Sequence, residues 1–142
     1  MRRIKFIILF SVILSKFVFS QEIGEIFTKV EAEEMFGKVL EEQSITTDVL
    51  KNVLKNTINS VMFNVNNSEL TILGDNRKAL YFTDSYSENN EIFHLFSKSK
   101  LEELLNLGNK EICLFQKREK AFTIENGHFI LEYSLPCPPV CD

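Results

Sequence analysis

Residues 44–65 read SITTDVLKNVLKNTINSVMFNV, and the spacing of their apolar side chains changes partway along. Val49, Leu50, Val53, Leu54 and Ile58 recur at helical intervals, with Thr46 or Thr47 placed to cap the N-terminus. Asn52, Asn56 and Asn59 fall on the other side, the composition of a solvated helix face. From Val61 the apolar positions alternate singly through Phe63 and Val65, as in a half-buried strand. A period that switches from 3.6 to 2 predicts a helix feeding directly into a sheet.

Downstream the strand pattern continues. NNS (66–68) supplies a turn, Leu70 and Ile72 mark a second strand, and GDNRK (74–78) turns the chain into a third strand over 79–83. EIFHLF (91–96) reads as a further short strand. Ser97 or Ser99 can then cap a helix through Leu101, Leu104 and Leu105, with Gly108 placed to close it. Three strands follow, EICLFQKR (111–118), AFTIE (121–125) and HFILEYSL (128–135), and Asn126-Gly127 is a short hairpin signal between the last two.

Upstream, FTKVEAEEMFG (27–37) has the marks of a helix start. Thr28 and Glu31 have capping-box spacing, Phe27 can staple the first turn, and Gly37 ends or kinks the helix. Glu31, Glu33, Glu34, Glu41 and Glu42 are then expected on exposed helix surface, with Lys38 spaced to pair with Glu34.

These elements predict an α+β fold: two or three helices packed on one antiparallel sheet of about six to seven strands, joined by meander connections. FNVNNSELTI (63–72) and FTIENGHFIL (122–131) share a residue pattern, for which two hairpins of similar length are a simpler explanation than a worn duplication.

The first twenty residues carry Arg2, Arg3 and Lys5 ahead of an apolar run from Phe6 to Leu14, then Val18 and Ser20 just before Gln21. That is the anatomy of a cleavable export signal, and Lys16 interrupts the run well short of the ~20 residues a membrane span requires. The expected organisation is a signal peptide over 1–20 and one small domain over 21–142, with no stable membrane span after cleavage. Removing the signal leaves twelve basic against twenty acidic residues, a net charge of −8. So acidic a chain repels phosphate backbones and anionic lipid, which argues against a nucleic-acid partner and against charge-driven membrane attachment.

The tail, SLPCPPVCD (134–142), holds two of the three cysteines and all three prolines. In an oxidising compartment Cys137 can bridge to Cys141 or to Cys113, or the thiols can stay free. An extended polyproline path would hold Cys137 and Cys141 ~12 Å apart, so their pairing requires a tight turn at Pro139. Either bridge would staple the C-terminal strand. The three-residue spacing with two prolines is not that of a Cys-x-x-Cys redox motif. Cys137, Cys141, His94 and His128 are suitable metal-ligand types but lack metal-site spacing, so neither metal nor cofactor is expected.

Ser97 and Lys100 have Ser-x-x-Lys spacing, although a serine before a helix is ordinarily a cap. The polar segment 84–90, with Asp84, Tyr86, Glu88 and Asn89 after Tyr81, has the composition of a recognition loop. The chain therefore reads as an exported, periplasmic or secreted, non-enzymatic binding module whose partner is a protein or an envelope component. A small exported hydrolase, or a thiol or metal-dependent enzyme using Ser97 and Lys100 or the Cys137/Cys141 tail, is the alternative. Nothing in the sequence specifies the oligomeric state.

Overall fold

A computed structural model describes residues 21–83 and 91–141. Among the described residues ten strands and three α-helices follow in chain order: β1 (Glu25–Thr28), α1 (Lys29–Phe36), β2 (Val39–Thr46), α2 (Thr47–Leu54), β3 (Ser60–Asn66), β4 (Glu69–Leu73), a 3₁₀ turn (Asp75–Arg77), β5 (Ala79–Phe82), β6 (Phe93–Ser97), α3 (Lys98–Gly108), β7 (Ile112–Arg118), β8 (Phe122–Asn126), β9 (Phe129–Glu132) and β10 (Leu135–Cys137). The fold is α+β, but the strands form two antiparallel sheets of five and not a single sheet. Sheet A has the order β1-β9-β8-β7-β2, and sheet B the order β10-β6-β3-β4-β5.

Two events in the chain add strands beyond those expected, β2 in sheet A and β10 in sheet B. Gly37 ends α1 with a φ of 79°, as expected, but the residues after it form β2 and not more helix. Glu41 and Glu42 therefore lie on a strand. At the other end, the stretch 128–135 is not one strand. Tyr133 takes a φ of 64°, which breaks it, and the chain leaves β9 in sheet A to enter β10 in sheet B.

A strand, a helix and a three-strand meander occur twice, as β2-α2-β3-β4-β5 and as β6-α3-β7-β8-β9. In each unit the opening strand pairs with the first meander strand of the other unit, β2 with β7 and β6 with β3. The registers correspond. Thr46, which caps α2, faces Ile112 at the start of β7, while Ser97, before α3, faces Ser60 at the start of β3. The similar segments 63–72 and 122–131 do not mark this repeat. They superimpose β3-β4 on β8-β9, whereas the topology matches β3-β4 to β7-β8.

The exchanged strands enclose a shared core. Val61, Phe63, Val65, Leu70, Ile72 and Phe96 of sheet B meet Ile45, Cys113, Phe115, Phe122, Ile124 and Leu131 of sheet A, with Leu50, Val53 and Leu54 of α2 and Leu101, Leu104 and Leu105 of α3. Phe63 sits within 5.0–6.4 Å of the Phe96, Phe115 and Phe122 ring centroids. Each sheet also buries part of its outer face. On sheet A, α1 packs Ala32 and Phe36 against Ile130, beside Phe27. Met62, Leu73, Phe93 and Leu95 of sheet B are covered by Cys137, Ile23 and Cys141.

Local signals place the helices. The Thr28 hydroxyl accepts from the Glu31 N–H, and the Glu31 carboxylate accepts from the Thr28 N–H at 2.8 Å, completing the expected capping box. Thr46 caps α2 through the Val49 N–H. The left-handed residue closing α3 is Asn109, one position beyond Gly108. The β3-β4 turn falls at Asn67 and Ser68, both with positive φ, and the β8-β9 turn uses Gly127 at 64°.

Candidate binding cleft and its surroundings

Helix α2 ends at Leu54, earlier than its apolar spacing predicts. Ile58, expected on the buried face, is instead 80% exposed. The loop that carries it is held by a carboxylate. Asp75 accepts from the Ile58 N–H at 2.8 Å, the Ser60 N–H at 2.9 Å and the Asn59 N–H at 3.2 Å, and from the Ser60 hydroxyl at 3.1 Å. Burial alone would raise the pKa of Asp75, but these four donors outweigh it and hold the carboxyl down at about 2. The Asp75 N–H donates in turn to the Thr57 hydroxyl, and Lys98 Nζ donates to the Thr57 carbonyl at 3.0 Å. Loop 57–60 is thus fixed from two sides.

Beside this loop lies an open cleft of about 960 Å³. Ile58, Asn59, Lys98 and Glu102 line it, with Leu95, Ile23 and Val140 as its apolar part. Ile23 is pinned there by sheet-like bonds: its N–H donates to the Ser97 hydroxyl at 2.7 Å, and the Ser97 N–H donates to its carbonyl at 2.9 Å. The segment just after the expected cleavage point is therefore part of the cleft wall.

These contacts redefine Ser97 and Lys100. Ser97 stands at the N-cap position of α3 but does not bond the helix with its hydroxyl, which serves Ile23. Lys100 Nζ binds Glu103 at 2.9 Å and lies 3.6 Å from Glu22, and the bond to Glu103 raises its pKa. A lysine held as a cation by two carboxylates is not set to withdraw a proton from Ser97. Ser99 donates to Glu22 at 2.9 Å.

Of the cysteines, Cys137 and Cys141 form the disulfide, with Cα atoms 4.9 Å apart. The Val140 N–H donates to the Pro136 carbonyl at 2.9 Å, folding the tail back as the sequence requires for this pairing. Cys113 is excluded from it. The tail crosses to sheet B, while Cys113 lies buried in sheet A, 3.2 Å from Asn126 Nδ2 and 3.5 Å from the Thr47 hydroxyl. Burial raises the Cys113 thiol pKa despite those two bonds. Asn126 was expected to be a turn residue. It is a fully buried hub, whose amide also reaches the Lys110 and Ile112 carbonyls.

His94 stacks on Phe122 at 4.6 Å, and burial, assisted by the nearby Lys117 charge, lowers its pKa to about 4. It is a packed, neutral histidine. Tyr81 packs against the shared core, and the rest of the expected recognition loop, Asp84, Tyr86, Glu88 and Asn89, lies outside the described residues. Among the described residues no group of three or more His, Cys, Asp or Glu could hold a metal ion, and no helix is long and apolar enough to cross a membrane.

A polar network on the outer face of sheet A is not among the expectations drawn from the sequence. Arg118 donates to Thr123 Oγ1, Gln116 Oε1 and the Gly37 carbonyl, each at 2.9 Å. Gln116 Nε2 bridges Glu42 at 2.8 Å and Glu125 at 3.0 Å, and Lys29 Nζ meets Glu125 at 2.9 Å. Gln116, Thr123 and Glu125 alternate with the core residues Phe115 and Ile124, so the signal was present as polar residues in otherwise apolar strands. On the same face Glu132 is 6% exposed, with Oε2 unpartnered. Burial raises its pKa to about 7, against the opposing bonds from the Tyr133 and Ser134 N–H groups.

Comparison with known protein families, curated proteins and solved structures finds no match.

Proposed function

We propose that this chain is an exported, non-enzymatic binding domain that docks an apolar segment of a protein or envelope component in the cleft beside Ile58. The observation that carries this reading is the clamp on loop 57–60. A carboxylate with four donors is committed to a loop whose central side chain, Ile58, stands 80% exposed. An apolar side chain displayed in water on a clamped backbone has the properties of an interface anchor, because the ordering of its loop is complete before binding. Val140 and the partly buried Ile23 extend the apolar surface, and Lys98 and Glu102 can orient a polar rim. Export is supported by the N-terminal signal anatomy and by the disulfide, since such bonds persist in oxidising compartments.

The test is site-specific photo-crosslinking in the producing cells. A photoreactive residue replaces Ile58 in one variant and Leu107, an exposed residue of α3 that does not line the cleft, in another. The expected result is a discrete adduct from position 58 and none from position 107, on protein whose N-terminus is Gln21. Adducts of equal yield at both positions, or none at position 58, would refute docking there.

A further inference from the structure

The two sulfurs of the C-terminal disulfide sit in unlike surroundings. Cys137 is fully buried beside Met62, Phe93 and Leu95, whereas Cys141 is only partly buried at the edge of the same cluster. The Arg77 guanidinium reaches the buried sulfur. Its Nη1 lies 3.0 Å from Cys137 Sγ and 3.3 Å from the Cys137 carbonyl oxygen, and its carbon is 5.0 Å from the Phe93 ring centroid. Arg77 belongs to the 3₁₀ turn that Asp75 anchors to loop 57–60, so its position is supported from its own backbone.

A disulfide sulfur is a weak acceptor, and a guanidinium donor aimed at it gains little while the bond is intact. The same donor gains much more when the sulfur carries a negative charge. Thiol–disulfide exchange creates that charge on the sulfur that leaves, and its rate depends on which sulfur is accessible and on how well the other departs. Access favours attack at Cys141, and Arg77 favours departure at Cys137.

We infer that the Cys137–Cys141 disulfide is an exchange site for protein thiols, attacked at Cys141 and opened toward Arg77. The incoming thiolate forms a bond to Cys141 Sγ, and the Cys137–Cys141 bond breaks. Its electron pair leaves on Cys137 Sγ, so one thiolate is consumed and one is released, and no proton or outside oxidant is needed. Cys137, held beside the mixed disulfide, then reverses the step by attacking Cys141 Sγ and expelling the bound thiol. Activation here comes from a guanidinium on the leaving sulfur, not from a helix N-terminus on the attacking one, so the Cys-x-x-Cys spacing is not required.

The experiment uses the oxidised mature chain with reduced glutathione as the probe, quenched by rapid alkylation and mapped by mass spectrometry. The expected product carries glutathione on Cys141 and the alkyl group on Cys137. Arg77→Gln should slow adduct formation on the order of tenfold, and Arg77→Lys, which keeps the charge, should recover most of the rate. Circular dichroism shows that each variant is folded when the rate is taken. Glutathione on Cys137, a rate unchanged or raised in Arg77→Gln, or opening no faster than global unfolding would each overturn the inference.

Discussion

The two sheets share one core but cover their outer faces by opposite means. Sheet A carries charge there, with Arg118, Gln116, Thr123 and Glu125 bonded into a network beneath and beside α1. Sheet B is apolar there, with Met62, Leu73, Phe93 and Leu95 beneath a disulfide-closed tail. The first cover depends on satisfied hydrogen bonds, so its energy is lost abruptly when one partner is removed. The second depends on area excluded from water and on a covalent link that constrains the unfolded chain. On sheet A a half-exposed helix covers Ile130 beside the polar network, while on sheet B the apolar patch is covered by a chain end tied down.

Breaking the polar cover gives the largest expected effect. Arg118→Ala removes the donor to Thr123 Oγ1 and to the Gly37 carbonyl, leaves Gln116 Oε1 with the Thr123 hydroxyl as its donor, and should cost about 3–5 kcal/mol, read from urea unfolding. A loss below ~1 kcal/mol would mean that the network is decoration and that the contrast between the faces is false.

Next comes Glu132 on the same face. Its pKa of about 7 exceeds its ordinary value of 4.5, so the folded chain retains a proton that the unfolded chain has released. The stability contributed by the neutral carboxyl is complete below pH 4.5 and is lost as pH rises through about 7, a fall of about 3 kcal/mol. Stability curves of the native chain and of Glu132→Gln should diverge across that window: the variant rises with pH, because His94, held down at about 4, is protonated there only in the unfolded chain, while in the native chain the two effects oppose each other. Parallel curves would show that the carboxyl is not buried as described.

On sheet B, removing the link with Cys137→Ala/Cys141→Ala opens a five-residue loop and should cost about 2 kcal/mol. Hydrogen exchange should rise in β10 and β6 and stay unchanged in β1 and β9. Faster exchange throughout sheet A would show that the two covers are not independent. The smallest effect belongs to Lys29→Ala. This side chain is half-exposed above Glu125, and its loss should cost under ~1 kcal/mol. A larger cost would place Lys29 inside the polar network and not at its rim.

Much of the local structure could be read along the chain, because caps and alternation act over a few residues. Thr28 with Glu31, Thr46 before α2 and the β3-β4 hairpin all form as their spacing implies. β2 could not be read this way. Along Val39–Thr46 only Ile45 is buried and Val39 and Leu40 are exposed, so no alternation announces a strand, and pairing with β7 makes it one. Ile58 misled for the converse reason. Its spacing continues the helix, but Asp75, seventeen residues away, claims the backbone N–H groups that another turn would need. In the candidate cleft, Ser97 was visible as a helix start, while Ile23 and Val140 arrive from opposite ends of the described residues.

By itself the sequence determined the class of fold, the positions of most helices and strands, and a choice of three fates for its cysteines. Each of these follows from interactions among near neighbours. The tertiary structure decided the division into two sheets with exchanged strands, the placement of Cys113 out of reach of the tail, and the loop that holds Ile58 in solvent. These follow from contacts between residues far apart in the chain, where register and hydrogen-bond competition, and not local preference, set the outcome.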